Sequence, residues 1–239
     1  MKLRFTGLSN LGLVRFSNQD AFWIDSEGRF FILADGMGGH TGGEEASRIA
    51  TQVIRDYLTQ HWDTEQATKE LLKSAFLQAN HAIVEQQQLH PQRGDMGTTT
   101  VALVFRQQPM FAHVGDSRLY LFRGDALKQI TEDHTWVAMG LKMGDINPEE
   151  ARNHPWRHVL NRCLGRADLD QVDIHPVNVQ LGDRLLLCSD GLTEELSDEQ
   201  IATHLQSNSA PEKAVEALLN AALAHGGRDN ITLVMVVLE

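Results

Sequence analysis

Apolar residues recur along this chain with two periods, and the places where the period changes mark its elements. Residues 3–8 and 21–24 read as short strands on either side of a polar connection, Arg15-Phe16-Ser17-Asn18-Gln19-Asp20. The run Phe30-Phe31-Ile32-Leu33-Ala34 is apolar throughout, as suits a strand covered on both faces. From 43 to about 62, Ala46, Ile49, Ala50, Val53, Ile54, Tyr57 and Leu58 keep helical spacing. A second stripe, Ala67, Leu71, Leu72, Ala75, Phe76, Ala79, Ala82 and Ile83, predicts another helix, ended by the loop at 90–94.

The period then drops to two. Strands are expected at 98–105, 109–114, 118–122 and 126–130, with Gly, Gln-Pro and Gly-Asp turns that suit antiparallel hairpins. Between 134 and 170 the pattern weakens into short helical pieces around Gly140, Gly144, Pro148 and Pro155, which predicts an insertion carried on the fold. Strands at 172–179 and 183–188, helices at 198–206 and 212–224, and a strand at 231–238 complete the chain. Strand runs and helix pairs alternate in blocks, which predicts an α+β fold and not a parallel βαβ sheet. With no repeat of fixed period and no low-complexity linker, residues 1–239 are expected to form a single domain.

One junction draws chemistry to itself. The strand at 30–34 ends in Asp35, and the eight residues from Gly36 to Gly43 include five glycines before the first helix begins. A carboxylate and much bare backbone therefore meet in one place. The phosphate-cradling loop of NTPases would need Gly-Lys-Ser/Thr here, where Gly42-Gly43-Glu44-Glu45 stands, and a dinucleotide fingerprint would put its third glycine on Thr41. Glu44 and Glu45 suit the positive end of a helix dipole but would repel a phosphate docked there. The loop favours cations over anions, and it also reads as a plain strand-to-helix turn.

Composition narrows the classes. Twenty-one basic and 32 acidic side chains give a net charge of −11 without a lysine- or arginine-rich block, which argues against a nucleic-acid partner. No secretory h-region stands at the start, and no run approaches the roughly 18 apolar residues of a membrane span. The two cysteines, Cys163 and Cys188, lack the paired spacing of a zinc site or a disulfide framework. A cytoplasmic protein without a membrane partner is expected.

Four times an apolar strand abuts a turn at an aspartate: Asp35, Asp116, Asp190, and Asp229 just before Ile231. Each alone reads first as a turn residue, and only the four together point to a shared site. Should the strand ends converge, the acids would repel one another in a poorly hydrated site, and a divalent cation would remove that cost. Oxygen ligands favour Mg2+ or Mn2+ over zinc. His154 and His158 are four apart, but Pro155 intervenes and no His-Glu-x-x-His occurs. His113, in mid-strand, reads as structural. Gly115-Asp116-Ser117 is similar to the nucleophile block of some serine esterases, yet no Gly-x-Ser-x-Gly elbow or C-terminal Asp-x-x-His accompanies it.

Seven ordered blocks then carry a resemblance over nearly the whole chain. They are Arg15-x-x-Asn18-Gln19-Asp20, Ala34-Asp35-Gly36-Met37-Gly38-Gly39, Met96-Gly97-Thr98-Thr99, Val114-Gly115-Asp116-Ser117-Arg118, Thr131-x-Asp133-His134, Ser189-Asp190-Gly191 and Asp229-Asn230-Ile231-Thr232. Together they resemble the metal-dependent PPM/PP2C serine/threonine protein phosphatases. The compact Asp-Gly-Met-Gly-Gly-His form resembles bacterial members, especially the cyanobacterial ones that act on the phosphorylated nitrogen-signalling protein PII.

The resemblance implies a PP2C-like four-layer sandwich, two antiparallel sheets flanked by helix pairs, with residues 134–170 as a flap beside the cleft. It implies two Mn2+ or Mg2+ ions bridged by Asp35, with the Gly36 carbonyl on one and Asp190 and Asp229 on the other. Asp116 with Asp190 would hold a third ion. Asp20 would orient the water shared by the two core ions, which attacks phosphorus in line, and Arg15 would grip the substrate phosphate through its planar fork. A monomer acting on a phosphorylated Ser/Thr protein follows, with PII as one such substrate. Two departures stand out: Gln19 where many members carry Glu, and Met37 where animal enzymes carry a histidine taken as general acid. His40 is the nearby candidate for that role. A phosphoprotein-binding regulator without turnover and a metal phosphodiesterase remain as alternatives.

Overall fold

The computed structural model describes residues 2–39, 42–91 and 95–239. Eleven strands and seven helices follow one another in the described chain. The first sheet runs β1-β11-β10-β7-β8, from β1 (Leu3–Asn10), β11 (Ile231–Leu238), β10 (Arg184–Cys188), β7 (Arg118–Arg123) and β8 (Ala126–Gln129). The second runs β2-β3-β5-β6-β9, from β2 (Asp20–Ile24), β3 (Phe30–Met37), β5 (Thr100–Val104), β6 (Met110–Val114) and β9 (Asp173–Pro176). A two-residue strand, β4 (Gly97–Thr98), pairs with the end of β3. All the pairings are antiparallel.

The apolar run at 30–34 is covered on both faces, as its composition requires. Phe30, Ile32 and Ala34 point to α1 (Gly42–Gln60) and α2 (Thr68–Leu89), where they meet Ile54, Leu72 and Phe76. Phe31 and Leu33 point the other way, into a layer shared with Leu185, Leu187, Val234 and Val236 of the first sheet. On the far side, Leu186, Cys188 and Leu233 pack against α6 (Asp198–Ser207) and α7 (Pro211–His225). The result is four layers, helix pair, sheet, sheet and helix pair, held by the period-two alternation of the strands and the apolar stripes of the helices.

The flap region holds two short helices, α3 (Trp136–Met143) and α4 (Pro148–Asn153). Side chains start both: Thr135 Oγ1 accepts from Ala138 N, and Asn147 forms a capping box with Glu150. His154 closes α4 and His158 lies in the turn beyond it, so the two do not share a helix face. The strand expected at 98–105 is broken at Thr99, and a single helical turn, α5 (Asp190–Thr193), stands where none was expected.

Candidate active site

The acids predicted from the sequence converge at one edge of the two sheets. Antiparallel pairing of β2 with β3 sets Asp20 opposite Asp35. Pairing of β10 with β11 brings Asp190, just past the end of β10, beside Asp229, just before β11. Asp116 enters from the turn between β6 and β7. All five residues are half-buried, so a small ion can reach them but water hydrates them poorly.

Their electrostatics report the crowding. Burial, then the charges of Asp20, Asp190, Asp116 and Asp229, hold the Asp35 carboxyl well above the usual range. Burial raises Asp190 to about 7, with Glu194 and Asp229 adding to the effect while Asp35 and Arg15 oppose it. Asp20 is likewise raised to about 7 by burial, against hydrogen bonds from Thr232 and Ser189. Asp116 is raised by burial and by Asp190. Carboxylates so placed either hold protons or hold a cation.

A second group of residues keeps these acids in place. Ser189 Oγ donates to Asp20 Oδ2 at 2.8 Å and accepts from Thr232 N at 3.0 Å. The other oxygen, Asp20 Oδ1, is buried without a hydrogen-bond partner. Thr99 accepts from Asp35 N through Oγ1, at 3.2 Å, and donates its own N–H to Asp35 O, at 2.9 Å. Asn230 accepts from Gln19 N at 2.8 Å and donates to Leu11 O and Ser17 O at 2.9 and 3.1 Å, which pins the loop bearing Arg15. Arg15 itself lies over the acids, with Nη2 2.5 Å from Asp229 Oδ2. Gly36 must be glycine: a Cβ there would sit 2.0 Å from the Gly43 carbonyl oxygen, so the loop could not fold back on the strand.

A cleft of about 790 Å³ opens over Asp116 and Asp190 and is walled by the flap residues Thr135, Val137, Arg157 and His158. These residues of the expected flap therefore stand beside Asp116 and Asp190. His158 Nδ1 is 2.5 Å from Glu194 Oε1, and both approach Asp190. From the sequence His158 stands out only as a partner of His154, and Glu194, which caps the unforeseen turn α5, does not stand out at all. Ser117 is fully buried and bonded to Thr99 Oγ1 at 2.6 Å, which disposes of a serine nucleophile in this block. His40 lies outside the described residues.

The donor set suits divalent cations. Several carboxylates with raised proton affinity, one of them carrying an orphaned buried oxygen, form a hard-oxygen site that protons or Mn2+ or Mg2+ would neutralise. A site of this kind, at the edge of a four-layer sandwich, is built to gather divalent cations. The Protein phosphatase 2C family profile matches residues 15–225, and the chain belongs to that family. It is 38% identical over 237 residues to the serine/threonine protein phosphatase PstP of Mycobacterium tuberculosis, covering 98% of this chain and 44% of that protein. The chain thus spans less than half of the length of PstP. It is 36% identical to the serine/threonine phosphatase stp of Listeria innocua, covering 94% of this chain and 92% of that one. The crystal structure of M. tuberculosis PstP superposes with a TM-score of 0.88 at 38% identity, covering 99% of both chains. The PstP catalytic domain in complex with two manganese ions gives a TM-score of 0.85 at 36% identity, again covering 99% of both chains.

Proposed function

We propose that this chain is a protein serine/threonine phosphatase that hydrolyses phosphomonoesters with divalent cations. The convergence of Asp20, Asp116, Asp190 and Asp229 on Asp35 carries this reading. Asp35, Gly36, Asp190 and Asp229 would hold two core ions, and Asp116 with Asp190 a third, as Mn2+ or Mg2+. Bound there, such ions lower the pKa of a water and offset charge on the phosphoryl oxygens.

The chain's own residues supply the rest. Asp20, fixed at Oδ2 by Ser189, keeps Oδ1 available to accept a hydrogen bond from the attacking water and so to orient it. Arg15, half-exposed above the acids, can leave Asp229 and offer two N–H donors to two phosphate oxygens. Met37 offers no proton to the leaving oxygen. Flap residues would wall the cleft that receives the phosphorylated segment.

Phosphorylated Ser/Thr proteins are the substrate class, and the curated relatives' names support it. A phosphorylated PII-type protein is the finer candidate, resting only on the compact Asp-Gly-Met-Gly-Gly-His form. The described site is assembled within one chain, which supports a monomer. Both cysteines are unpaired, which supports a cytoplasmic setting, and among the described residues no helix is long and apolar enough to cross a membrane.

The deciding experiment offers a phosphothreonine peptide and a phosphodiester side by side, with Mn2+ and with chelator. Manganese-dependent phosphate release from the peptide alone is expected. Peptide binding without release would make the chain a regulator without turnover, and preferred cleavage of the diester would make it a phosphodiesterase.

A further inference from the structure

Behind the cleft, two histidines with no part in the chemistry above grip the backbone of Gly115, the residue that precedes Asp116. Gly115 has φ +108°, and a Cβ there would lie 2.5 Å from Thr99 Cβ, so the position is closed to any side chain. Its N–H donates to His134 Nδ1 at 3.0 Å. Its carbonyl accepts from His113 Nε2 and from the backbone N–H of His134, each at 2.9 Å. The imidazoles stack with centroids 4.2 Å apart, and both residues are buried, His113 to 1% and His134 to 6% exposure.

The backbone of one residue, Gly115, therefore dictates both tautomers. His134 accepts at Nδ1, so its proton is on Nε2, which faces Asp173 Oδ2 at 3.2 Å. His113 faces a carbonyl with Nε2, so its proton is there and Nδ1 is left bare, buried and without a partner. Burial lowers His113 to about 3 and also lowers His134, so both rings are neutral at ordinary pH. A ring left with an orphaned nitrogen costs stability, and such cost is retained where geometry matters.

His113, His134 and Asp173 also lie close enough to suggest a cation site of their own. The arrangement opposes it. Arg162 Nη1 already occupies Asp173 Oδ1 at 2.8 Å and stands 3.2 Å from His134 Nε2, and each ring has committed one nitrogen to Gly115. A guanidinium fills the place a metal would take.

We propose that His113 and His134 are positioning residues that set the Asp116 carboxylate by holding both the N–H and the carbonyl of Gly115, and so both peptide units that flank it. Through Asp173 and Arg162 the same clamp anchors the base of the flap, where Asn161 N also donates to His134 O at 3.0 Å. The inference deepens the functional reading, since it rests on Asp116 being a ligand of the third cation.

The variants His134→Ala, His134→Asn and His113→Phe test it, because Asn places an acceptor near the Nδ1 position and Phe keeps the ring while losing the donor. Amide exchange of Gly115 in the metal-free protein is expected to quicken at least about tenfold in His134→Ala, with Ala112 unchanged, and to be largely restored in His134→Asn. In calorimetric Mn2+ titrations the weakest binding step should weaken about tenfold in His134→Ala and His113→Phe while tighter steps hold. Unchanged weak-step affinity in both, or equal loss at every step, would overturn the proposal. Nitrogen NMR of the unaltered protein adds a reading that needs no variant: a proton found on His134 Nδ1 or His113 Nδ1 also overturns it. Should Asp116→Asn bind as many Mn2+ ions as the parent, the third-cation assignment is what has failed. In that case faster Gly115 exchange would persist in His134→Ala without any change in metal binding.

Discussion

Arg15 and Asp229 are joined directly, Nη2 to Oδ2 at 2.5 Å, across the mouth of the acidic cluster. The pair links the residue that would hold phosphate to one that would hold metal. Asp229 has a second partner, since its Oδ1 accepts from Asn230 N at 2.7 Å, so it stays in place when the arginine moves.

Substituting Arg15→Ala should raise KM for a phosphopeptide about tenfold or more while kcat falls much less, because the guanidinium contacts phosphate in ground and transition states alike. Steady-state kinetics at saturating Mn2+ provide the measurement. An unchanged KM would leave Arg15 as a surface partner of Asp229 only.

Asp190→Asn should abolish turnover and yet make the metal-free protein more stable at pH 8. Above its pKa of about 7 the buried carboxylate is charged beside Glu194 and Asp229, and the amide removes that repulsion. A rise in Tm of about 2–4 °C, corresponding to roughly 1 kcal/mol, is expected without metal. With Mn2+ present the order should reverse. Calorimetry in both conditions, beside circular dichroism and activity, checks it, and a metal-free Tm below that of the parent would contradict the crowding argument.

The pH dependence carries a definite sign. Asp20 and Asp190 titrate near 7 when folded and near the ordinary carboxylate value when unfolded, so between about 4 and 7 the folded state binds more protons. Their contribution is therefore full at low pH and is lost as pH rises through 7. His113, lowered to about 3, works oppositely, and its contribution is lost as pH falls below about 6.5. Cations compete with protons for the acids and not for His113, so the Tm gained on adding Mn2+ should be small at pH 5 and large at pH 8. A gain independent of pH would show that these carboxylates do not bind the ion.

Ser189→Ala removes the hydroxyl that donates to Asp20 Oδ2 and leaves Thr232 N without its side-chain acceptor. A loss of about 1–2 kcal/mol in stability is expected, together with a clear fall in kcat. Restoration of both by Ser189→Thr would locate the effect in the hydroxyl. Loss of stability with kcat unchanged would separate Asp20 from the attacking water.

Much of this was legible along the chain because its causes are local. Phe30 to Ala34 read as a doubly covered strand since apolar residues on both faces leave no other use for the run, and the helical stripes on α1 and α2 follow from burial on one side. The single turn at Asp190–Thr193 escaped because four residues are too few to show a period. The break at Thr99 escaped because it depends on bonds to Asp35 and Ser117 that are distant in sequence. Ser189, Asn230, Glu194 and the Gly115 clamp share that reason: each works through a hydrogen bond or ion pair to a partner from another element.

The amino-acid sequence by itself determined the α+β class, the order of elements, and the four strand-end aspartates, since periodicity and turn chemistry act over a few residues. Tertiary structure alone decided that these aspartates meet. Opposing Asp20 to Asp35 depends on the β2–β3 register, and a slip of one residue would turn either carboxylate away from the site. Bringing Asp190 beside Asp229 depends on β10 lying next to β11, which the two sheets settle by packing their apolar faces together. Repulsion among five acids opposes that meeting, and only the burial of the whole four-layer core is large enough to enforce it.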